Sequence, residues 1–216
     1  MVFVIDRESR RLFEHAIEQM HQTRREVFVE RLGWRLKVDE AGREIDEFDT
    51  PDAEYMLDIE PDSGRLLGSL RLLRTDQPHL MSEHFADLCE TPIPRGEDVR
   101  EVSRLVTAPD LPRERCMRVR HRLASALMEY GLLRRLRSYT FVTHTSWLPT
   151  LMCVGWTCQP LGLPQIRGRQ SIGALAIQVS EAGLTALRSF GGRHPVLTLT
   201  PRAAASRTAE GVHRGL

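Results

Sequence analysis

This sequence holds no Gly-x-Gly-x-x-Gly and no Gly-x-x-x-x-Gly-Lys-Ser/Thr. Neither a dinucleotide-binding turn nor a phosphate-cradling P-loop is therefore written in it. Its four cysteines, Cys89, Cys116, Cys153 and Cys158, form no Cys-x-x-Cys pair and no Cys/His metal spacing. They read as reduced thiols of a cytoplasmic protein rather than a disulfide frame. No apolar run approaches the roughly 20 residues of a membrane span. The apolar start, Val2 to Ile5, turns charged at Asp6, too early for a signal peptide. A formal net charge of +1 gives no global field towards nucleic acid or membrane. No Ser/His/Asp spacing stands out, and His144 near Cys153 reads as an incidental histidine beside a buried thiol. There is no internal repeat and no linker. One domain over residues 1–200 is expected, with a flexible C-terminal tail at 201–216.

What is present is an alternation of strand and helix patterns. Val2 to Ile5, Glu54 to Ile59, Arg65 to Leu73, Val99 to Val106, Tyr139 to Thr143 and Ile172 to Val179 read as strands. Ser9 to Leu32 reads as a helix, bent near Gln22-Thr23, with Phe13, Ile17 and Met20 as its apolar stripe. Cys116 to Leu136 reads as a long helix, Trp147 opens a short one, and Glu181 to Ser189 forms another. The expected fold is α/β, a three-layer α-β-α sandwich with a mixed, mostly antiparallel sheet.

Several residues invite chemistry. Arg24 and Phe28 are four apart and share a helix face, and Trp34 follows Gly33, a residue that commonly closes a helix. A guanidinium, a phenyl and an indole brought together suit a flat, charged ligand, although an amphipathic helix with a solvated arginine reads the same way. Asp46 and Asp49 stand three apart in a polar stretch, as carboxylates for a cationic group or as solvated loop residues. Arg71 interrupts an apolar strand, where burial without a partner is costly. Along Val99 to Val106, Glu101 and Ser103 fall on one face and Arg104 on the other, unless a bulge brings Glu101 and Arg104 together. The approach to the long helix is basic, through Arg118, Arg120 and Arg122. It reads either as a solvated face or as a site for phosphate or an acidic carrier protein.

The ordered set Arg24, Phe28, Trp34, Asp46, Asp49, Arg71, Glu101 and Arg104, with Ser69-Leu70-Arg71 and Glu101-Val102-Ser103-Arg104 intact, resembles the acyl-homoserine-lactone synthases of bacterial quorum sensing. The resemblance spans about eighty residues strongly and continues more weakly to about residue 180. It implies a fold like the GCN5-related N-acetyltransferases, with one departure. The turn before the long helix, Arg118-Val119-Arg120-His121-Arg122, lacks the glycines that wrap a pyrophosphate, so arginines would grip the pantetheine carrier.

The resemblance further implies two substrates, S-adenosylmethionine and an acyl thioester, either acyl-CoA or an acyl-carrier protein, and no resident cofactor or metal. It implies transfer of the acyl group to the methionine amine and closure of a lactone with release of 5′-methylthioadenosine. Glu101 is the expected base, with Asp46, Asp49 and Arg104 completing the catalytic group. Arg24, Phe28, Trp34, Arg71 and Ser103 are expected to bind S-adenosylmethionine. Thr140, Thr143, Trp147, Met152 and Trp156 are expected around the acyl group, and Trp147, Met152 and Trp156 would favour a compact, branched or aromatic one. The Arg24 to Asp49 region is expected to become ordered on binding. Neither nucleic acid nor membrane is expected as a partner, and the sequence leaves the oligomeric state open, a monomer included. Two other readings share these residues: an N-acyltransferase of another amine, and a non-catalytic S-adenosylmethionine-binding module.

Overall fold

The strand and helix patterns appear in order in the computed structural model, which describes residues 1–191 and 195–199. The elements are β1 (Val2–Ile5), α1 (Glu14–Arg24), β2 (Glu54–Ile59), β3 (Leu66–Arg74), α2 (Leu80–His84), β4 (Val99–Thr107) and α3 (Arg113–Leu133). They continue with β5 (Ser138–His144), α4 (Leu148–Met152), β6 (Cys158–Pro160), β7 (Gln165–Arg167), β8 (Gln170–Gln178), α5 (Glu181–Gly191) and β9 (Leu197–Leu199). The expected tail at 201–216 lies outside the described residues.

The chain falls into two compact units. The first comprises residues 1–70, 104–123 and 196–216, and the second residues 71–103 and 124–195. Strands β3 and β4 and helix α3 run through both. In the first unit the strand order is β4-β3-β2-β1-β9. There β1 pairs antiparallel with β2, Val4 opposite Met56, and parallel with β9. Helix α1 turns Ala16, Met20, Thr23 and Arg24 inward, the i, i+4, i+7, i+8 spacing of one helix face. In the second unit the order is β6-β8-β5-β4-β3, with β7 also on β8. Strand β5 is antiparallel to β8 along its whole length and parallel to β4. Tyr139 Oη donates to the Leu127 carbonyl at 2.7 Å, which pins the end of α3 to β5. The sheet is thus mixed and mostly antiparallel, with helices, as the sequence suggested.

Three departures bear on the site. The helix expected over Ser9 to Leu32 is a 3-10 turn (Arg10–Leu12), then α1, then a π-helical turn (Arg25–Arg31). The irregularity lies at Arg24-Arg25 rather than at Gln22-Thr23. Leu32 N–H reaches the Val27 carbonyl five residues back at 3.0 Å, and Gly33 then ends the run at φ +68°. Helix α3 begins and ends three residues earlier than expected, and Arg135, at φ +55°, lies just beyond its end. Strand β4 is not flat, because Arg104 adopts φ +54°. A non-glycine residue there is uncommon, and it breaks the alternation of faces that a regular strand imposes.

Candidate functional site

Arg24 stands where α1 passes into the π turn. Its side chain is fully buried, and so is that of Glu44, which enters from the loop after the π turn. Arg24 Nε donates to Glu44 Oε2 at 2.5 Å. Its two terminal nitrogens donate to the two oxygens of Asp49, each at 2.8 Å, a bidentate fork. Arg104 joins the same group, with Nη2 at 3.0 Å from Glu44 Oε1 and 2.7 Å from Asp46 Oδ2. Glu44 therefore bridges two arginines. Asp49 also accepts from the Asp46 backbone N–H and from Tyr55 Oη, both at 2.9 Å. Burial alone would lower the pKa of Arg24, but its bonds to Asp49 and Glu44 outweigh this and hold it above the ordinary value. Burial, reinforced by the charge of Asp49, pushes the Tyr55 hydroxyl up, so it donates as a neutral phenol.

Phe28 and Trp34 stack beside this network, with ring centroids 4.8 Å apart and planes 15° apart. The Arg104 guanidinium stands 5.7 Å from the Phe28 ring centre. The π turn and the following bend bring the rings together, since Trp34 N–H bonds the Phe28 carbonyl at 2.8 Å. Arg24, Phe28, Trp34, Asp46, Asp49 and Arg104 thus converge in the first unit. Glu44 was missed by the sequence reading. It lies in the same acidic run as Asp46 and Asp49, which was the available signal.

The second unit holds Arg71, Glu101, Ser103 and the residues expected around the acyl group. Arg71 is buried and donates through Nε to Ser103 Oγ at 3.0 Å, tying β3 to β4. Glu101 is fully buried, and its Oε2 accepts the Met81 backbone N–H at 3.0 Å, at the start of α2. On the parallel neighbour β5, Thr140 is in register with Glu101. Its buried hydroxyl oxygen has no hydrogen-bond partner among the described residues. Thr143 and Trp147 are half-buried. Trp156 is buried and its Nε1 donates to the Leu151 carbonyl at 2.7 Å, so it packs the end of α4. Met152 departs from expectation, since 54% of its surface is exposed and it encloses nothing here.

The arginines expected to contact the carrier also divide. Arg118 is exposed and faces Glu114 at 3.9 Å. Arg120 is half-buried, and burial lowers its pKa. Arg122 corrects the expectation of a free basic row, because it binds the buried Asp58 carboxylate at 2.6 Å. A buried carboxylate needs such a counter-charge, and Arg122 supplies it.

Comparison with known proteins points in one direction. The family described as "Autoinducer synthase" matches residues 8–187. Isovaleryl-homoserine lactone synthase of Bradyrhizobium diazoefficiens is 31% identical over 167 residues, covering 77% of this chain and 74% of its own. A coenzyme-A-dependent acyl-homoserine lactone synthase solved with S-adenosylmethionine and isopentyl-CoA superposes with a TM-score of 0.87 at 29% identity. That alignment covers 97% of this chain and 98% of the other. An acyl-CoA N-acyltransferase from Pseudomonas aeruginosa aligns at a TM-score of 0.56 and 15% identity, over 82% of this chain and 97% of its own, a likeness of fold alone.

Proposed function

The chain belongs to the autoinducer synthase family, and from that premise we propose that its arginine–carboxylate cluster receives S-adenosylmethionine for acyl-homoserine-lactone synthesis. The observation that carries the reading is the charge of the cluster. Arg24 and Arg104 face Glu44, Asp46 and Asp49, two cations against three anions. Such a set offers carboxylates to an ammonium or sulfonium and guanidiniums to a carboxylate. Water is largely excluded, so that complementarity is weakly screened. The Phe28–Trp34 stack offers a π face to the adenine or the sulfonium.

The enzyme is an acyltransferase. In the reading proposed, Glu101 accepts a proton from the substrate ammonium, directly or through water, and the freed amine attacks the thioester carbonyl. Collapse of the tetrahedral adduct forms the amide and expels the thiol. The methionyl carboxylate then attacks the carbon beside the sulfonium. The carbon–sulfur bond breaks, the lactone closes and methylthioadenosine leaves. Arg71 and Ser103 hold β3 and β4 in place beside Glu101. Backbone amides near Ser103 to Leu105 are candidates for the oxyanion donors.

The acyl donor proposed is a coenzyme A thioester of a compact, branched or aryl acid, held near Thr140, Thr143 and Trp147. The likeness to a coenzyme-A-dependent acyl-homoserine lactone synthase solved with isopentyl-CoA supports this choice over an acyl-carrier protein. Arg118 and Arg120 are the proposed contacts to its phosphates. Residues 1–200 are read as one synthase-like domain, cytoplasmic, with both ligands as substrates and no resident cofactor. The test is mass spectrometry of purified protein given S-adenosylmethionine and a panel of acyl-CoA and acyl-carrier thioesters. Methylthioadenosine together with an acyl-homoserine lactone is the expected pair. Neither product from any thioester, with S-adenosylmethionine binding intact, would leave only a binding module. Equal use of long straight-chain carrier thioesters, with none of coenzyme A thioesters, would overturn the acyl-donor choice.

A further inference from the structure

One buried titratable side chain beside the cluster takes no part in the chemistry above. His21 precedes Arg24 by one helical turn on α1 and is buried with it. Its Nδ1 lies 2.9 Å from the Glu44 carbonyl oxygen. A carbonyl only accepts, so the ring carries a proton on Nδ1 and donates it there. The bond is returned by the Glu44 backbone N–H, which donates to the His21 carbonyl at 3.2 Å. Both backbone polar groups of Glu44 are thus gripped by one residue, and the carboxylate of Glu44 is the one shared by Arg24 and Arg104.

The surroundings fit this role. The turn leading into Glu44 is closed on itself. Asp39 accepts from the Arg43 backbone N–H at 2.9 Å and from Arg43 Nε at 2.7 Å, and Gly42 supplies the left-handed residue at φ +77°. Val38 and Glu44 pair across its base. His21 joins this small hairpin to α1 at its functional end. Beyond the ring, Tyr55 packs edge-on at 6.2 Å and 81°, and its hydroxyl holds Asp49, the other carboxylate on Arg24.

We propose that His21 is a positioning residue for S-adenosylmethionine. It fixes the backbone of Glu44 and so sets where the two guanidiniums present themselves to the amino-acid end of the substrate. The proposal rests on the reading of the cluster given above. It predicts a selective defect, because methylthioadenosine keeps the adenosine and sulfur but lacks the amino-acid end.

The experiment compares His21→Ala, His21→Asn and His21→Gln in the full chain. It measures KM for S-adenosylmethionine, kcat, and affinity for methylthioadenosine by calorimetry. Asparagine places an uncharged N–H near the Nδ1 position, whereas glutamine places it near Nε2. His21→Ala is expected to raise KM by about tenfold, the worth of one lost hydrogen bond that orients a charged group. Its kcat should change little and its methylthioadenosine affinity should hold. His21→Asn should restore KM and His21→Gln should not. Equal weakening of both ligands, or none, overturns the proposal, since a structural role would not separate them. If His21→Ala does not fold, the Asn and Gln variants decide, and identical KM values in those two overturn it. Wild-type protein that binds S-adenosylmethionine without making lactone would end the synthase reading while leaving the clamp testable by binding alone.

Discussion

The two units bury their carboxylates on different kinds of element, a loop in the first and a strand in the second. In the first, five ionised side chains neutralise one another almost completely, through bidentate and bridging bonds. In the second, the buried Glu101 is held by a backbone amide, with a hydroxyl-bearing Thr140 in register beside it. A group that recognises charge gains from being fixed by counter-charges, which orient it and remain ionised. A group that acts on a substrate's proton gains from a rigid strand, which holds it in one place. In the reading proposed, the contrast separates recognition on the loop from chemistry on the strand.

The largest effect should come from Glu101→Gln. Loss of the proposed base is expected to cost about 10²–10⁴-fold in kcat, with KM for S-adenosylmethionine nearly unchanged, read by methylthioadenosine release. A comparable loss of S-adenosylmethionine affinity would break the contrast, making Glu101 part of the recognition group. Arg24→Met attacks the other side. It takes from Asp49 its bidentate cation and leaves Glu44 to Arg104, and a loss of about 3–5 kcal/mol in urea unfolding is expected. A loss under about 1 kcal/mol would mean that the ion pairs are solvated in the free protein.

Smaller effects sharpen the picture. Trp34→Ala removes one partner of the Phe28 stack, and S-adenosylmethionine affinity should fall about tenfold, measured by calorimetry. The pH dependence should be uneven. Burial, then the neighbouring Arg24, lowers the pKa of His21 from its ordinary 6.5, while Glu44 and Asp49 oppose this and Tyr55 packs on the ring. The unfolded chain therefore binds the His21 proton more readily than the folded one. Stability is fully kept above 6.5 and falls as pH drops from there through the lower folded value. Thermal unfolding between pH 7 and pH 5 should show a steeper fall for wild type than for His21→Asn. Thr140→Val replaces an unpartnered buried hydroxyl by a methyl of similar size, so stability should change by less than about 1 kcal/mol. Any change should appear in preference among acyl thioesters instead.

Sequence periodicity carried the long strands and helices because their apolar spacing is set by burial on one face. It did not carry β6, β7 and β9, each of three residues, where no period can be read. The π turn was misplaced because an extra residue per turn leaves no composition signal. The residue beyond the end of α3, Arg135, has φ +55° where a glycine would have announced the stop. At the site, Asp46 and Asp49 were legible by spacing, and Glu44 was passed over because it lies just outside that pair. The pairing of Arg122 with Asp58 joins residues 64 apart in sequence and had no local signature. Trp156 and Met152, grouped by hydrophobicity alone, separated once the fold set one inward and the other into solvent.

The π turn over Arg25–Arg31 has a consequence for how this segment tolerates insertion and deletion. Each α-helical residue advances the chain by about 100° around the axis, so one residue more or fewer is a rotation before it is a change of length. Deleting a single residue between 25 and 31 would let ordinary i to i−4 bonding run on without a gap. The helix would survive, but everything after it would be turned by that angle, and Phe28 and Trp34 would lose their common phase. The segment is thus an angular setting, blind to composition and intolerant of any frame-preserving loss of one codon.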